Sequence, residues 1–207
     1  MQGRVITISR QCGSGGHSIG SELAKRLDVP FYDKEIIEMT AEESGFHPHF
    51  VEEKGEHMES GMLSNLARHL SYAGRGGYEE YQPLQDQLYF AQAKIIKELA
   101  EKGPCVIVGR CADYILRDRK DVLNVFIHAD MKFKKKHCVE RGQFTEGNTE
   151  DLITRRDKLR ADHYRYYTDR KWGNSFNYHL CLDSSVFGIE KCVSMIQDAL
   201  ISMHQDS

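Results

Sequence analysis

Apolar positions along this chain fall into two alternating patterns. Short β-branched and aliphatic runs recur at Val5–Ser9, Pro30–Tyr32, Cys105–Gly109, Leu123–Ala129 and Tyr178–Leu182. Between them the apolar residues follow helical spacing. The run Cys105-Val-Ile-Val is uninterrupted by polar residues, the signature of a strand buried on both faces rather than one. From Leu84 to Lys102, Leu88, Ala91, Ile95, Ile96 and Leu99 share one helical face, and Gly103-Pro104 ends the segment. From Ile189 to Met203, Val193, Ile196, Leu200 and Ile201 do the same. Strands alternating with helices predict an α/β fold, a parallel sheet with helices on both faces.

Two regions depart from that rhythm. Residues 45–80 are rich in Gly, His, Glu and Ser, and Met62, Leu63, Leu66 and Leu70 space a single amphipathic helix bounded by the weak segment Gly74–Gly77. This reads as a helical insertion over the sheet. Lys132 to Lys171 is the most basic stretch, and the spacing predicts two helices joined by Gly142–Thr149, a flap that carries cations. Arg156, Arg160 and Tyr164 lie one above the other at i, i+4 spacing. The Lys132–Lys136 run within it reads as a solvated face, with Lys134 or Lys135 a lid cation by position as the alternative.

Composition narrows the picture without naming a function. The 207 residues fit one domain carrying an insertion and a lid. A net charge of −3 argues against a nucleic-acid coating role, and no apolar run approaches the roughly 20 residues of a membrane span. Arg4 follows the start at once, so no signal peptide is expected. The six cysteines form no CxxC pair, and Cys105, Cys181 and Cys192 lie in apolar patterns as expected of buried thiols in a reducing cytoplasm. His47, His49 and His57 lack a closed ligand set for a metal. The apolar and aromatic residues between 60 and 90 are candidates for packing on the core or on a second copy, so a homodimer stays open.

The chemistry concentrates in VITISRQCGSGGHSIG, Val5 to Gly20. Strand, glycine turn and helix in that order make a phosphate cradle, because glycines let backbone N–H groups point at an anion and the helix N-terminus adds partial positive charge. Gly13, Ser14, Gly15, Gly16, His17 and Ser18 are the candidate phosphate-binding residues. A plain tight turn is the competing reading. Three glycines at such a junction are costly unless something must approach the backbone. Against the pattern GxxxxGK[ST], Arg10 stands where the first glycine belongs and Gly16 where the lysine belongs. A register shifted by one puts His17 at the lysine position and Ser18 at the hydroxyl that reaches Mg²⁺, directly or through water. The paired exchange suggests that Arg10 folds back over the phosphates and supplies the missing charge. His17 is a second candidate, only partly charged at pH 7.

Together with Val29-Pro-Phe-Tyr-Asp33, Val106-Ile-Val-Gly-Arg110, Val125-Phe-Ile-His-Ala129, Arg156-Asp157-x-x-Arg160 and the segment from Tyr164 to Tyr178, this loop resembles the nucleoside monophosphate kinases, most closely their cytidylate kinase-like branch. The resemblance covers most of the chain. It implies a P-loop kinase fold with five parallel strands, an acceptor-side insertion at 45–80 and a lid at 131–171. It implies transfer of phosphate from ATP with Mg²⁺ to a small acceptor, such as CMP or dCMP. Arg110 and Asp33 would sit at the acceptor, as would Asp157 and Arg160, while Arg10, Arg156 and Arg160 would act in catalysis. Each residue keeps a structural alternative. For Arg110 it is a surface arginine, for Asp33 a helix N-cap, and for Asp157 with Arg160 an exposed i, i+3 pair. Two other functions stay open: a nucleotide-binding regulatory protein without catalysis, and a kinase of a non-nucleotide metabolite. The tyrosines Tyr164, Tyr166 and Tyr167 and Trp172 read as packing between lid and core.

Overall fold

The computed structural model describes residues 4–55, 83–145 and 147–203. The helix expected around Met62–Leu70, the segment Gly74–Gly77 and His57 lie outside the described residues. So does most of the 45–80 insertion.

Five strands form one parallel sheet: β1 (Val5–Arg10), β2 (Phe31–Tyr32), β3 (Cys105–Val108), β4 (Val122–His128) and β5 (Leu180–Asp183), in the order β2-β3-β1-β4-β5. All five fall on the expected runs, with ends shifted by two residues or fewer. β1 is central, with Ile6 paired to Val106 on one side and Leu123 on the other. Its side chains therefore have no solvent face. Period-2 alternation sorts them into two cores.

On one face, Ile6, Ile8, Val106, Val108, Val125 and Ile127 pack under helices α1 (Gly16–Leu27) and α8 (Ser184–Ser202) through Ile19, Leu23, Val193 and Ile196. On the other, Val5, Cys105, Ile107 and Val122 meet α2 (Glu35–Ser44) through Ile36, and α4 (Leu84–Lys102) through Ile95, Ile96 and Leu99. Helix α3 (Pro48–Gly55) adds Val51 to a smaller cluster with Ile37 and Leu88. Each fully buried Ile or Leu contributes roughly 1.5–3 kcal/mol relative to exposure, and truncating one to Ala costs about 2–5 kcal/mol because a cavity remains.

Helix α4 ends where Gly103-Pro104 predicted. The last helix begins five residues earlier than its periodicity suggested, but Gly188 (φ 73°, ψ 166°) breaks it, so the regular part starts at Ile189 as read. One cysteine differs from expectation. Cys105 and Cys192 are buried, whereas Cys181 is exposed because β5 is an edge strand.

The basic region folds as a helix pair, α6 (Met131–Glu140) and α7 (Thr149–Thr168), preceded by the short α5 (Ala112–Ile115) after β3. Asp130 caps α6, its carboxylate accepting from the Phe133 N–H at 2.7 Å. Through Arg160 at the Arg10 carbonyl, Asp157 at the Cys12 N–H and the Lys134 backbone at Gly13, both helices reach the C-terminal end of β1 and the loop after it. In open α/β sheets that is the edge where ligands bind.

Candidate functional site

The loop after β1 folds as the sequence predicts. Gly13 and Gly15 take left-handed conformations (φ 75° and 79°), and α1 starts at Gly16. Ser14 is fully buried and braces the turn. Its hydroxyl lies 2.9 Å from the Gln11 carbonyl and 3.2 Å from that of Ile127, and the Ser184 hydroxyl donates to the Ser14 carbonyl at 2.6 Å. The Ser14 side chain thus braces the turn.

The odd residues of the loop are sterically coupled. An ideal Cβ at Gly16 would stand 2.4 Å from Cβ and 2.8 Å from Cγ of Arg10. A Cβ at Gly109 would stand 1.8 Å from Arg10 Nη1. The Arg10 side chain therefore runs across Gly16 and rests on Gly109 at the end of β3. Its Nη2 donates to Asp33 Oδ1 at 3.4 Å, and Asp33 Oδ2 lies 2.6 Å from His17 Nδ1. Arg10 and His17 both turn toward Asp33. Asp33 itself is not the cap of α2, since Lys34 occupies that place. Its carboxylate joins the loop to the end of β2.

Three arginines converge beside this bridge. Arg10, Arg110 and Arg160 line one cavity of about 30 Å³ together with Ser9, Cys111, His163, Tyr164 and Trp172. Arg110 is buried, not a surface arginine, and it sits in strained backbone: Gly109, Arg110 and Cys111 are successive left-handed residues (φ 78°, 56° and 55°). For a non-glycine residue that conformation costs on the order of 1 kcal/mol or more, and such strain concentrates where a side chain must be aimed. Arg160 Nη1 donates to the Arg10 carbonyl at 3.3 Å. Behind the arginines, the Tyr164 hydroxyl donates to Asp113 Oδ2 at 2.6 Å. Burial pushes the Asp113 carboxyl up to about 6, while the Tyr164 hydrogen bond pulls the other way. Trp172 packs edge-on to Phe126 and donates to Ser9 Oγ at 2.9 Å, which fits the packing role read for it.

The lid helices reach the loop at two further points. Asp157 Oδ1 accepts from the Cys12 N–H at 2.6 Å and Oδ2 from Lys134 Nζ at 2.6 Å. Lys134 Nζ also lies 3.5 Å from Gln11 Oε1. Asp157 and Arg160, one turn apart on α7, thus serve different places, the loop and the arginine cavity. This is not the exposed i, i+3 pair of the structural alternative. Lys134 is buried, unlike the solvated run assigned to its neighbours. Spacing alone does not single it out: Lys134 (i+3 from Met131, i−4 from Cys138) and Lys135 (i+4 and i−3) are equally in phase with the apolar side of α6, and of the two Lys134 is the buried one. Arg156 does not line the arginine cavity and stacks its guanidinium over Phe144 at 4.6 Å.

Ser18 lies in the first turn of α1, and Arg141 Nη1 donates to its hydroxyl at 2.8 Å. Among the described residues no three His, Cys, Asp or Glu side chains gather as a metal site. One hydroxyl plus substrate phosphates suits Mg²⁺, which keeps several waters and is held largely through phosphate oxygens. The donor set therefore fits a metal that arrives with a nucleotide. Among the described residues no helix is long and apolar enough to cross a membrane.

Comparison with known proteins agrees with this layout. The cytidylate kinase-like family matches residues 5–186. A cytidylate kinase of Methanospirillum hungatei is 24% identical over 204 residues, 97% of this chain and 98% of its own. An uncharacterized protein of Eubacterium ventriosum is similar in structure at a TM-score of 0.71 and 25% identity, over 96% of this chain and 99% of that one. A gluconokinase of Sinorhizobium meliloti shares the fold at a TM-score of 0.55 and 14% identity, over 100% and 98% of the two chains. The five-stranded parallel sheet flanked by helices is that of the P-loop kinases.

Proposed function

The chain belongs to the cytidylate kinase-like family, and we propose that it transfers the terminal phosphoryl group of ATP to a small phosphate-bearing acceptor, a nucleoside monophosphate such as CMP or dCMP. The observation that carries this reading is the convergence of Arg10, Arg110 and Arg160 on one cavity at the C-terminal edge of the sheet. Guanidinium forks match phosphate oxygens in pairs, and three of them suit a doubly charged phosphate ester far better than a neutral hydroxyl substrate. The cavity is too small for a nucleotide, whose sites run to hundreds of Å³, so the α6–α7 lid opens for the acceptor and closes over it.

In this reading the backbone of Gly13–Ser18 cradles the donor phosphates at the start of α1. Ser18 would meet an Mg²⁺ bound with ATP, which would supply charge neutralisation of the phosphate oxygens, with Arg141 giving up its present hydrogen bond to that hydroxyl. The acceptor phosphate, held by the three arginines, presents an oxygen to the terminal phosphorus. A P–O bond forms there as the bond to the bridging oxygen breaks, and the electron pair leaves with ADP. The protein supplies position and charge rather than covalent chemistry.

The test is turnover of ATP with Mg²⁺ against CMP, dCMP, UMP, AMP and gluconate. We expect transfer to CMP or dCMP to exceed that to the others. Tight ATP binding without turnover on any acceptor would sink the kinase reading in favour of a nucleotide-binding regulator. Preference for gluconate would move the chain to the metabolite kinases.

A further inference from the structure

The donor phosphates need a cation that the loop sequence does not carry. Position 16 is glycine, a side chain there would run into Arg10, and both Arg10 and His17 are engaged with Asp33. We propose that Lys134, from the lid helix α6, supplies the charge of the missing loop lysine, and that Asp157 holds its place in the empty site. The proposal rests on the phosphotransferase reading above.

Three observations carry it. First, Lys134 is buried although it belongs to a lysine-rich run, and its ammonium points at the loop, 3.5 Å from Gln11 Oε1. An ammonium moved out of water costs several kcal/mol unless an anion and hydrogen bonds compensate, so a buried position for this lysine alone among its neighbours demands a local anion. Second, that anion is now Asp157, and its other oxygen accepts from the Cys12 N–H of the phosphate loop. A carboxylate bridging a loop amide and a lysine makes the contacts that a phosphate oxygen makes in such a cradle. Third, α6 is fitted to the loop without slack. A Cβ on Gly13 would stand 2.6 Å from the Lys134 carbonyl oxygen and 2.7 Å from Cys138 Sγ. The backbone that carries Lys134 is thus in contact with the loop itself, so with the lid closed the cation is held against the loop.

When ATP enters, a phosphate oxygen takes the Cys12 N–H and the Lys134 ammonium, and Asp157 is released. Lys134 keeps its three protons throughout. Its charge offsets that of the transferring phosphoryl group while the bond to the bridging oxygen breaks toward ADP and the bond to the acceptor oxygen forms.

The experiment uses the full chain with Lys134→Met, Lys134→Arg and Asp157→Asn. ATP affinity is measured by calorimetry, kcat with CMP by coupled assay, and Tm by calorimetry. Loss of one preorganised donor typically lowers kcat by about 10²–10³, so we expect Lys134→Met to fall in that range and Lys134→Arg to recover at least a tenth of the wild-type rate. Asp157→Asn removes the competing anion, and we expect ATP to bind at least about threefold more tightly to it. Wild-type turnover with Lys134→Met within about tenfold of it would overturn the catalytic role. Unchanged ATP affinity in Asp157→Asn would overturn the place-holding role. A lowered Tm in Lys134→Met with no rescue by Lys134→Arg would show a structural ion pair only. Absence of wild-type turnover refutes the underlying kinase reading instead. Lys134 is then decided by ATP affinity, which must drop in Lys134→Met for the cation assignment to stand. Where Lys134→Met does not fold, Lys134→Arg and Asp157→Asn carry the same readouts.

Discussion

Arg10 occupies the volume that a side chain on Gly16 would need, with a separation of 2.4 Å between Arg10 Cβ and an ideal Cβ on Gly16. The departures at the two ends of the loop are therefore one event in space. Gly16→Lys alone should overpack the junction and destabilise by about 1–3 kcal/mol. Adding Arg10→Gly should relieve the clash, leaving the double variant more stable than the sum of the singles by about 1 kcal/mol or more, read from urea unfolding. Additive effects would show that the two positions do not compete.

Arg110 is the arginine most committed to the acceptor cavity, buried and held in left-handed backbone. Arg110→Lys keeps the charge and loses the fork. Hydrogen bonds to charged groups contribute about 1.5–3 kcal/mol, so KM for the acceptor should rise about 10- to 100-fold while KM for ATP stays within about threefold. An equal rise in both constants would place Arg110 outside the acceptor half of the site.

Arg156 should matter little to the chemistry. Its guanidinium lies over the Phe144 ring and does not line the arginine cavity. Arg156→Ala is expected to leave kcat within about threefold of wild type, well short of the effect of a residue that meets the transferred group. A loss of a hundredfold or more would mean that α7 rotates on ligand binding and brings Arg156 inward.

Asp113 gives the fold a pH dependence of definite sign. Its carboxyl is raised from 3.8 to about 6 in the folded chain, chiefly by burial. The folded protein thus holds that proton to higher pH than the unfolded chain does. Its contribution to stability is complete below about pH 3.8 and is lost as pH rises through about 6. A shift of this size corresponds to about 3 kcal/mol. Asp113→Asn should flatten that part of the curve. The stability difference between variant and wild type, measured by denaturation from pH 4 to pH 7, should grow in favour of the variant as pH rises. A difference constant across that range would contradict the assignment.

The strands were legible because β1, β3 and β4 are buried on both faces and so carry unbroken apolar runs. Even the two-residue β2 was marked by Pro30-Phe-Tyr. The loop was legible through its glycines. The destination of Arg10 was not, because a chain position says where a side chain starts and not that Gly109 and Asp33 leave it a channel in the opposite direction. Arg156 and Arg160 share a helical face on paper, yet of the two Arg160 lines the cavity; how α7 sits against the sheet is not encoded in its periodicity. Lys134 was hidden in a run of like charges, where the burial of one member depends on which side of α6 meets the loop. Ser14 was legible as part of the turn but not as its brace, since Gln11, Ile127 and Ser184 meet it only after folding.

Asp157 and Arg160 are carried by the same turn of α7, one fastened to the Cys12 amide and the other to the Arg10 carbonyl. A helical turn is stiff, so these two fastenings cannot be undone independently: freeing the first shifts the lever that holds the second. In the proposed kinase reading, donor and acceptor would therefore influence one another's binding before any chemistry takes place. By thermodynamic reciprocity, whatever factor ATP imposes on acceptor affinity the acceptor must impose on ATP. The order in which the two arrive changes the route to the ternary complex but not its stability.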